Sequence, residues 1–223
     1  ECVVEIRRGM AALSAPTEAE SFLRGDFRLA CQAEVVSEAC DIEFAALRRR
    51  PRILTTRPAN KELALDPAVR RDGAKVYCDD EELGAFRGHL FGLAIDLGTT
   101  TVAMELVDLQ TGEGVRTCSF ENPQRFGGSD IMHRISYDGG PYHGQLRQVM
   151  LSAINFEIGD MVRKLRDMRI HRRQIYEVVV VGNATMRDIF FGVDVQSIGE
   201  RPYKSLIELE MERGVRTTTA LNV

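Results

Sequence analysis

The 223-residue chain predicts an α/β protein, α+β in overall content, and three observations predict it. Short β-like runs open the chain, beginning with Cys2-Val3-Val4-Glu5-Ile6. After residue 90, apolar runs of buried-strand length recur between turn residues. From Gln145, apolar residues return at three- and four-residue intervals, which is the period of a helix.

In order, residues 1–40 carry the first strand, a turn at Gly9 and a helical patch from Thr17 to Leu23. Pro16-Thr17-Glu18-Ala19-Glu20 marks its start, because carboxylates favour the positive end of a helix. Residues 41–89 mix three prolines (51, 58 and 67), the basic run Arg48-Arg49-Arg50-Pro51-Arg52 and the acidic patch Asp79-Asp80-Glu81-Glu82. They read as a linker or small middle region. Leu90 to Ile95 is a strand ending at Asp96, and Thr101 to Val107 is a second. The turn Gln110-Thr111-Gly112-Glu113-Gly114 leads to a third, Val115 to Phe120. The helix runs from Gln145 to Met168, with cations in its last turns where the dipole is negative. Glu177 to Val181 reads as a central, parallel strand that ends in Gly182-Asn183, with a helix beginning nearby. The order βββαβα is that of an RNase H-like half-domain, which divides the chain into 1–40, 41–89 and 90–223.

Composition narrows the class. With 44% apolar and 28% charged residues, the chain reads as a soluble globular protein, not a collagen-like, disordered or disulfide-scaffold one. No run approaches the ~18 apolar residues of a spanning helix, so no membrane partner is expected. Basic and acidic residues nearly balance, 29 against 33, which argues against bulk nucleic-acid binding. Five cysteines with no CxxC pair fit a reducing cytoplasm better than a secreted framework. The four histidines lack metal-ligand spacing and read as surface or turn residues. Asn183-Ala184-Thr185 matches a glycosylation sequon but falls on the strand-to-helix turn and is discounted.

The segment richest in chemistry is Asp96-Leu97-Gly98-Thr99-Thr100-Thr101, between two apolar strands. Gly98 lets backbone N–H groups converge on an anion with no β carbon in the way. Thr99 and Thr100 add hydroxyl donors for phosphate oxygens, and Asp96 can hold Mg²⁺ through its water shell. Neither a Walker A loop nor a G-x-G-x-x-G fingerprint occurs, which disfavours P-loop and Rossmann binding.

Ile95 to Val102 resembles the first phosphate motif of the actin, sugar kinase and heat-shock chaperone superfamily (ASKHA). With Glu121-Asn122-Pro123-Gln124-Arg125-Phe126-Gly127-Gly128-Ser129-Asp130 and Val181-Gly182-Asn183-Ala184-Thr185-Met186, it resembles the ASKHA domain of reductive activators of corrinoid proteins. That resemblance implies ATP-dependent return of Co(II) corrinoid to Co(I) on a methyltransferase-associated corrinoid protein. It assigns Asp96 to Mg²⁺ and catalysis, Gly98, Thr99 and Thr100 to the phosphates, and Gly182 and Asn183 to the nucleotide cleft. It names no electron donor and leaves a homodimer open. Residues 90 to about 205 and 1–40 carry the likeness well; 41–89 carry it poorly.

Arg28-Leu29-Ala30-Cys31-Gln32 resembles the closing ligand segment of plant-type [2Fe-2S] ferredoxin domains, the partial β-grasp that such activators carry N-terminally. Three ligands of that site lie in one loop and a fourth is distant. Cys31 matches the distant one and Cys2 the last of the loop, so the other two are expected before Glu1. Cys40, Cys78 and Cys118 match no ligand position and read as small hydrophobes. The second phosphate motif of the superfamily is likewise expected after Val223. Two rival readings stand beside the activator: a small-molecule ASKHA kinase, and a nucleotide-dependent module that docks a corrinoid protein without reducing it.

Overall fold

A computed structural model describes residues 3–37, 40–46, 65–165 and 169–221. The strands are β1 (Val3–Arg8), β2 (Phe27–Leu29), β3 (Glu43–Ala46), β4 (Val69–Asp72), β5 (Lys75–Cys78), β6 (Glu81–Ala85), β7 (Phe91–Leu97), β8 (Thr101–Asp108), β9 (Gly114–Glu121) and β10 (Ile175–Gly182). The helices are α1 (Ile131–Asp138), α2 (Gln145–Lys164), α3 (Ala184–Phe191), α4 (Gln196–Gly199) and α5 (Leu206–Glu212). They form two compact units, one of residues 1–50, 121–153 and 183–223, the other of 51–120 and 154–182.

In the first unit, β1 lies between β2 and β3 in an antiparallel sheet. Alternation along β1 buries Val4 and Ile6 on one face. The connection from β1 to β2 is held by a buried ion pair. Arg28 Nε and Nη2 donate to Glu20 Oε1 and Oε2 at 2.7 and 3.0 Å, and Arg28 Nη1 donates to the Ser14 carbonyl at 2.8 Å. The backbone N–H groups of Thr17 and Leu29 also donate to the Glu20 carboxylate, at 2.8 and 2.9 Å. Five donors to two oxygens and a carbonyl leave both charges satisfied out of water. They hold the Glu20 carboxyl down at about 2, with the Arg28 hydrogen bonds the largest cause.

The second unit is built on a four-stranded sheet of order β10-β7-β8-β9. β7 pairs antiparallel with β8 and parallel with β10. Leu93, Ile95 and Leu97 face Leu106, Met104 and Val102 across the ladder, and all six are buried. Cross-strand contact of this kind is the unit of sheet stability. A three-stranded antiparallel meander, β4-β5-β6, packs Val69 and Val76 with Leu90 into a smaller core.

Several expectations change. The order of the second half is βββααβααα, because α1 intervenes after β9 and α4 and α5 follow α3. Asp130 caps α1 by accepting from the His133 N–H. The helical patch at Thr17–Leu23 contains only a 3-10 turn, Glu18–Glu20, since the Glu20 carboxylate is drawn into the Arg28 pair. The helix from Gln145 ends at Lys164, and Arg166–Met168 lie outside the described residues. β10 is parallel as expected, but among the described residues it is the outermost strand, not a central one. Val178, Val179 and Val181 are accordingly 52, 52 and 58% exposed. Within 41–89, β3 joins the N-terminal sheet and β4–β6 form the meander; the basic run lies outside the described residues. No described helix is long and apolar enough to cross a membrane.

Candidate functional site

The turn Gly98-Thr99-Thr100 joins β7 to β8, and the ladder closes directly below it with Leu97 opposite Val102. Alternation that buries Leu97 sends Asp96 to the other face, where it is exposed. Its carboxylate makes no hydrogen bond or ion pair with any described residue, so it is available to a ligand. Gly98 is required by close approach: a β carbon there would stand 2.4 Å from the Thr101 carbonyl oxygen. Parallel pairing brings Gly182 beside Leu97 and Val181 beside Asp96. The carboxyl ends of β7 and β10 therefore open on the same side as the turn. In open α/β sheets, ligands bind at such ends.

Below the turn, the outer face of this sheet forms a cleft of about 340 Å³ lined by Ala94, Asp96, Ala103, Glu105, Val179 and Val181, among others. Glu105 shares that face with Asp96, diagonally across the ladder, since Asp96 pairs with Ala103 and Ala94 with Glu105. The sequence reading missed Glu105, although the two-residue period of β8 places it there. A turn that a side chain would fill, two hydroxyls and an available carboxylate suit a Mg²⁺-bound phosphate.

Gly182 ends β10, and Asn183 caps α3, accepting from the Met186 N–H at 3.0 Å. The segment after β9 serves a buried polar network. Asn122 accepts from the Gln124 N–H at 2.9 Å, and Gln124 Nε2 donates to the Leu146 carbonyl at 3.0 Å. Arg134, fully buried, donates to Gln124 Oε1 at 3.3 Å and to the Gly128 carbonyl at 3.1 Å. Burial pulls its guanidinium down to about 10. No sequence signal distinguished this arginine from its charged neighbours.

Cys31 lies on an exposed turn two residues after β2, whose last residue, Leu29, pairs with Val3. Cys2, the residue before Val3, lies outside the described residues. Among the described residues no group of three or more His, Cys, Asp or Glu side chains is placed to hold a metal ion. Of the two cysteines matched to cluster ligands, only Cys31 is described, and one cysteine does not make a four-thiolate site.

The family described as "RACo middle region" matches residues 91–219, more than half of the chain. The chain belongs to this family. The matched span of the RACo middle region starts at β7 and carries the turn, the buried Arg134 network and the Asn183 cap. A relative in Eubacterium limosum, "Corrinoid activation enzyme RamQ", is 29% identical over 116 residues. That match takes in 51% of this chain and 19% of the relative. A solved structure, "Reductive activator for corrinoid,iron-sulfur protein", superposes with a TM-score of 0.57 at 23% identity. It covers 92% of this chain and 44% of its own, and shows the shared fold.

Proposed function

We propose that the protein takes part in the ATP-dependent reductive reactivation of a corrinoid protein, returning Co(II) to Co(I) by addition of one electron. The observation that carries the reading is the Gly98 turn, set at the carboxyl ends of two parallel strands in a RACo middle region. Asp96 orients Mg²⁺ through its water shell. Gly98, Thr99 and Thr100 offer N–H and hydroxyl donors to phosphate oxygens, and Gly182 lines the same opening. Bound ATP supplies the free energy that favours one conformation over another.

A ligand shifts an equilibrium only by its differential affinity for the two states. A preference of about 5.5 kcal/mol moves the equilibrium about 10⁴-fold. At 59 mV per tenfold for one electron, that is roughly 240 mV, a useful share of a difficult reduction. The electron source belongs to the proposal as well: a [2Fe-2S] cluster with Cys31 and Cys2 as two of its four ligands. The partner is a corrinoid protein of the kind the relatives' names describe. In the native reading frame, Asp96→Ala abolishes ATP turnover and leaves the visible spectrum of the cluster intact. ATP turnover equal to wild type after this substitution refutes the assignment of the turn.

A further inference from the structure

The first unit holds another polar cleft, of about 330 Å³, with no role in the reading above. Arg24, Arg125, His133, Ser136 and Tyr142 line it together with the Gly127-Gly128 backbone, and no carboxylate lines it. Its walls are fixed from several directions. The Tyr142 hydroxyl donates to the Ser21 carbonyl at 2.9 Å, and the Tyr137 hydroxyl donates to the Phe22 carbonyl at 2.8 Å. The two tyrosine rings stack with centroids 5.2 Å apart. Gly128, at φ +147°, lets α1 approach so closely that a β carbon would stand 2.4 Å from His133 Cβ.

Two of the lining side chains are oriented by carboxylates outside the lining. Arg125 pairs with Glu121, and His133 Nδ1 lies 2.6 Å from Asp130 Oδ2. Arg24 has no ion-pair partner among the described residues; its guanidinium sits 5.6 Å over the Tyr142 ring. The cleft thus joins one uncompensated cation, two held donors and a hydroxyl around a concave surface. Preset donors of this kind suit a compact oxyanion, and the volume lies within the ~300–1,000 Å³ of small-molecule sites.

We propose that this cleft binds a phosphorylated small molecule, with the phosphate on Arg24, Arg125 and His133. The test is isothermal titration of the chain with inorganic phosphate and with glycerol 3-phosphate. Wild type, Arg24→Gln, Arg24→Lys and Asp96→Ala are compared at low ionic strength. Saturable binding is expected with either probe, weakened about tenfold or more by Arg24→Gln, partly kept by Arg24→Lys and unchanged by Asp96→Ala. The exposed position of Arg24 leaves the fold intact, which circular dichroism checks. Absence of saturable binding, or equal affinity in Arg24→Gln, overturns the proposal. Loss in Asp96→Ala with retention in Arg24→Gln also overturns it, by assigning the phosphate to the β7–β8 turn.

Discussion

Replacing Gly98 by alanine tests the turn at its tightest point. The added β carbon would lie 2.4 Å from the Thr101 carbonyl oxygen, inside the 3.0 Å that real β carbons respect. The obstructing atom is backbone, held by a ladder that closes at Leu97 and Val102, so the turn itself must open by about half an ångström or more. Overpacking on this scale costs about 1–3 kcal/mol of stability. Donors displaced by a fraction of an ångström lose convergence on the phosphate, and a 1 Å misplacement costs about 10²-fold in comparable sites. Gly98→Ala is therefore expected to weaken Mg²⁺-ATP binding roughly 10- to 100-fold. Titration with a fluorescent ATP analogue reads the effect, with circular dichroism checking that the variant is folded. Gly140→Ala is the control, because its β carbon meets nothing closer than 3.4 Å. ATP affinity in Gly98→Ala equal to that of wild type refutes the reasoning.

The Glu20–Arg28 pair gives a stability prediction with a pH signature. Its folded carboxyl sits at about 2 against 4.5 for an ordinary one, so its contribution is complete above about pH 5 and is lost as pH falls toward 2. Glu20→Gln strands a guanidinium whose side chain is 3% exposed and is expected to cost about 3–5 kcal/mol at pH 7. The difference from wild type narrows in urea titrations at acidic pH; a constant difference contradicts the linkage. Arg134→Met removes the donors to Gln124 Oε1 and the Gly128 carbonyl, at an expected cost of about 1–3 kcal/mol in chemical denaturation. Tyr137→Phe deletes the bond to the Phe22 carbonyl, at about 1 kcal/mol. Because burial pushes the Tyr137 phenol up to about 12, that variant also loses a component of the 295 nm absorbance curve near that pH.

The β7–turn–β8 hairpin was legible because its information is local. Alternating apolar residues set the strands, and a three-residue polar connection with Gly98 set the turn. The helix from Gln145 was legible for the same reason. What escaped depends on partners distant in sequence. Glu18 and Glu20 read as a helix start until Arg28, eight residues on, claims the Glu20 carboxylate. α1 is short, and its cap at Asp130 follows a glycine pair that masks its onset. Four consecutive valines in β10 read alike whether a neighbouring element covers them or not, so the exposure of Val178, Val179 and Val181 was invisible in the pattern. Arg134 and Glu105 are ordinary charged residues in sequence; only the packing of the first unit and the pleat of β8 single them out.

We propose that nucleotide held at the Asp96–Thr100 turn drives reduction of corrinoid cobalt. Anaerobic absorbance spectroscopy of a Co(II) corrinoid protein tests it most directly, with the protein in its native reading frame and a low-potential electron donor. Co(I) is expected to accumulate with Mg²⁺-ATP and wild-type protein, and to stay absent with Asp96→Ala. Co(I) formed equally without ATP, or equally with Asp96→Ala, contradicts the account.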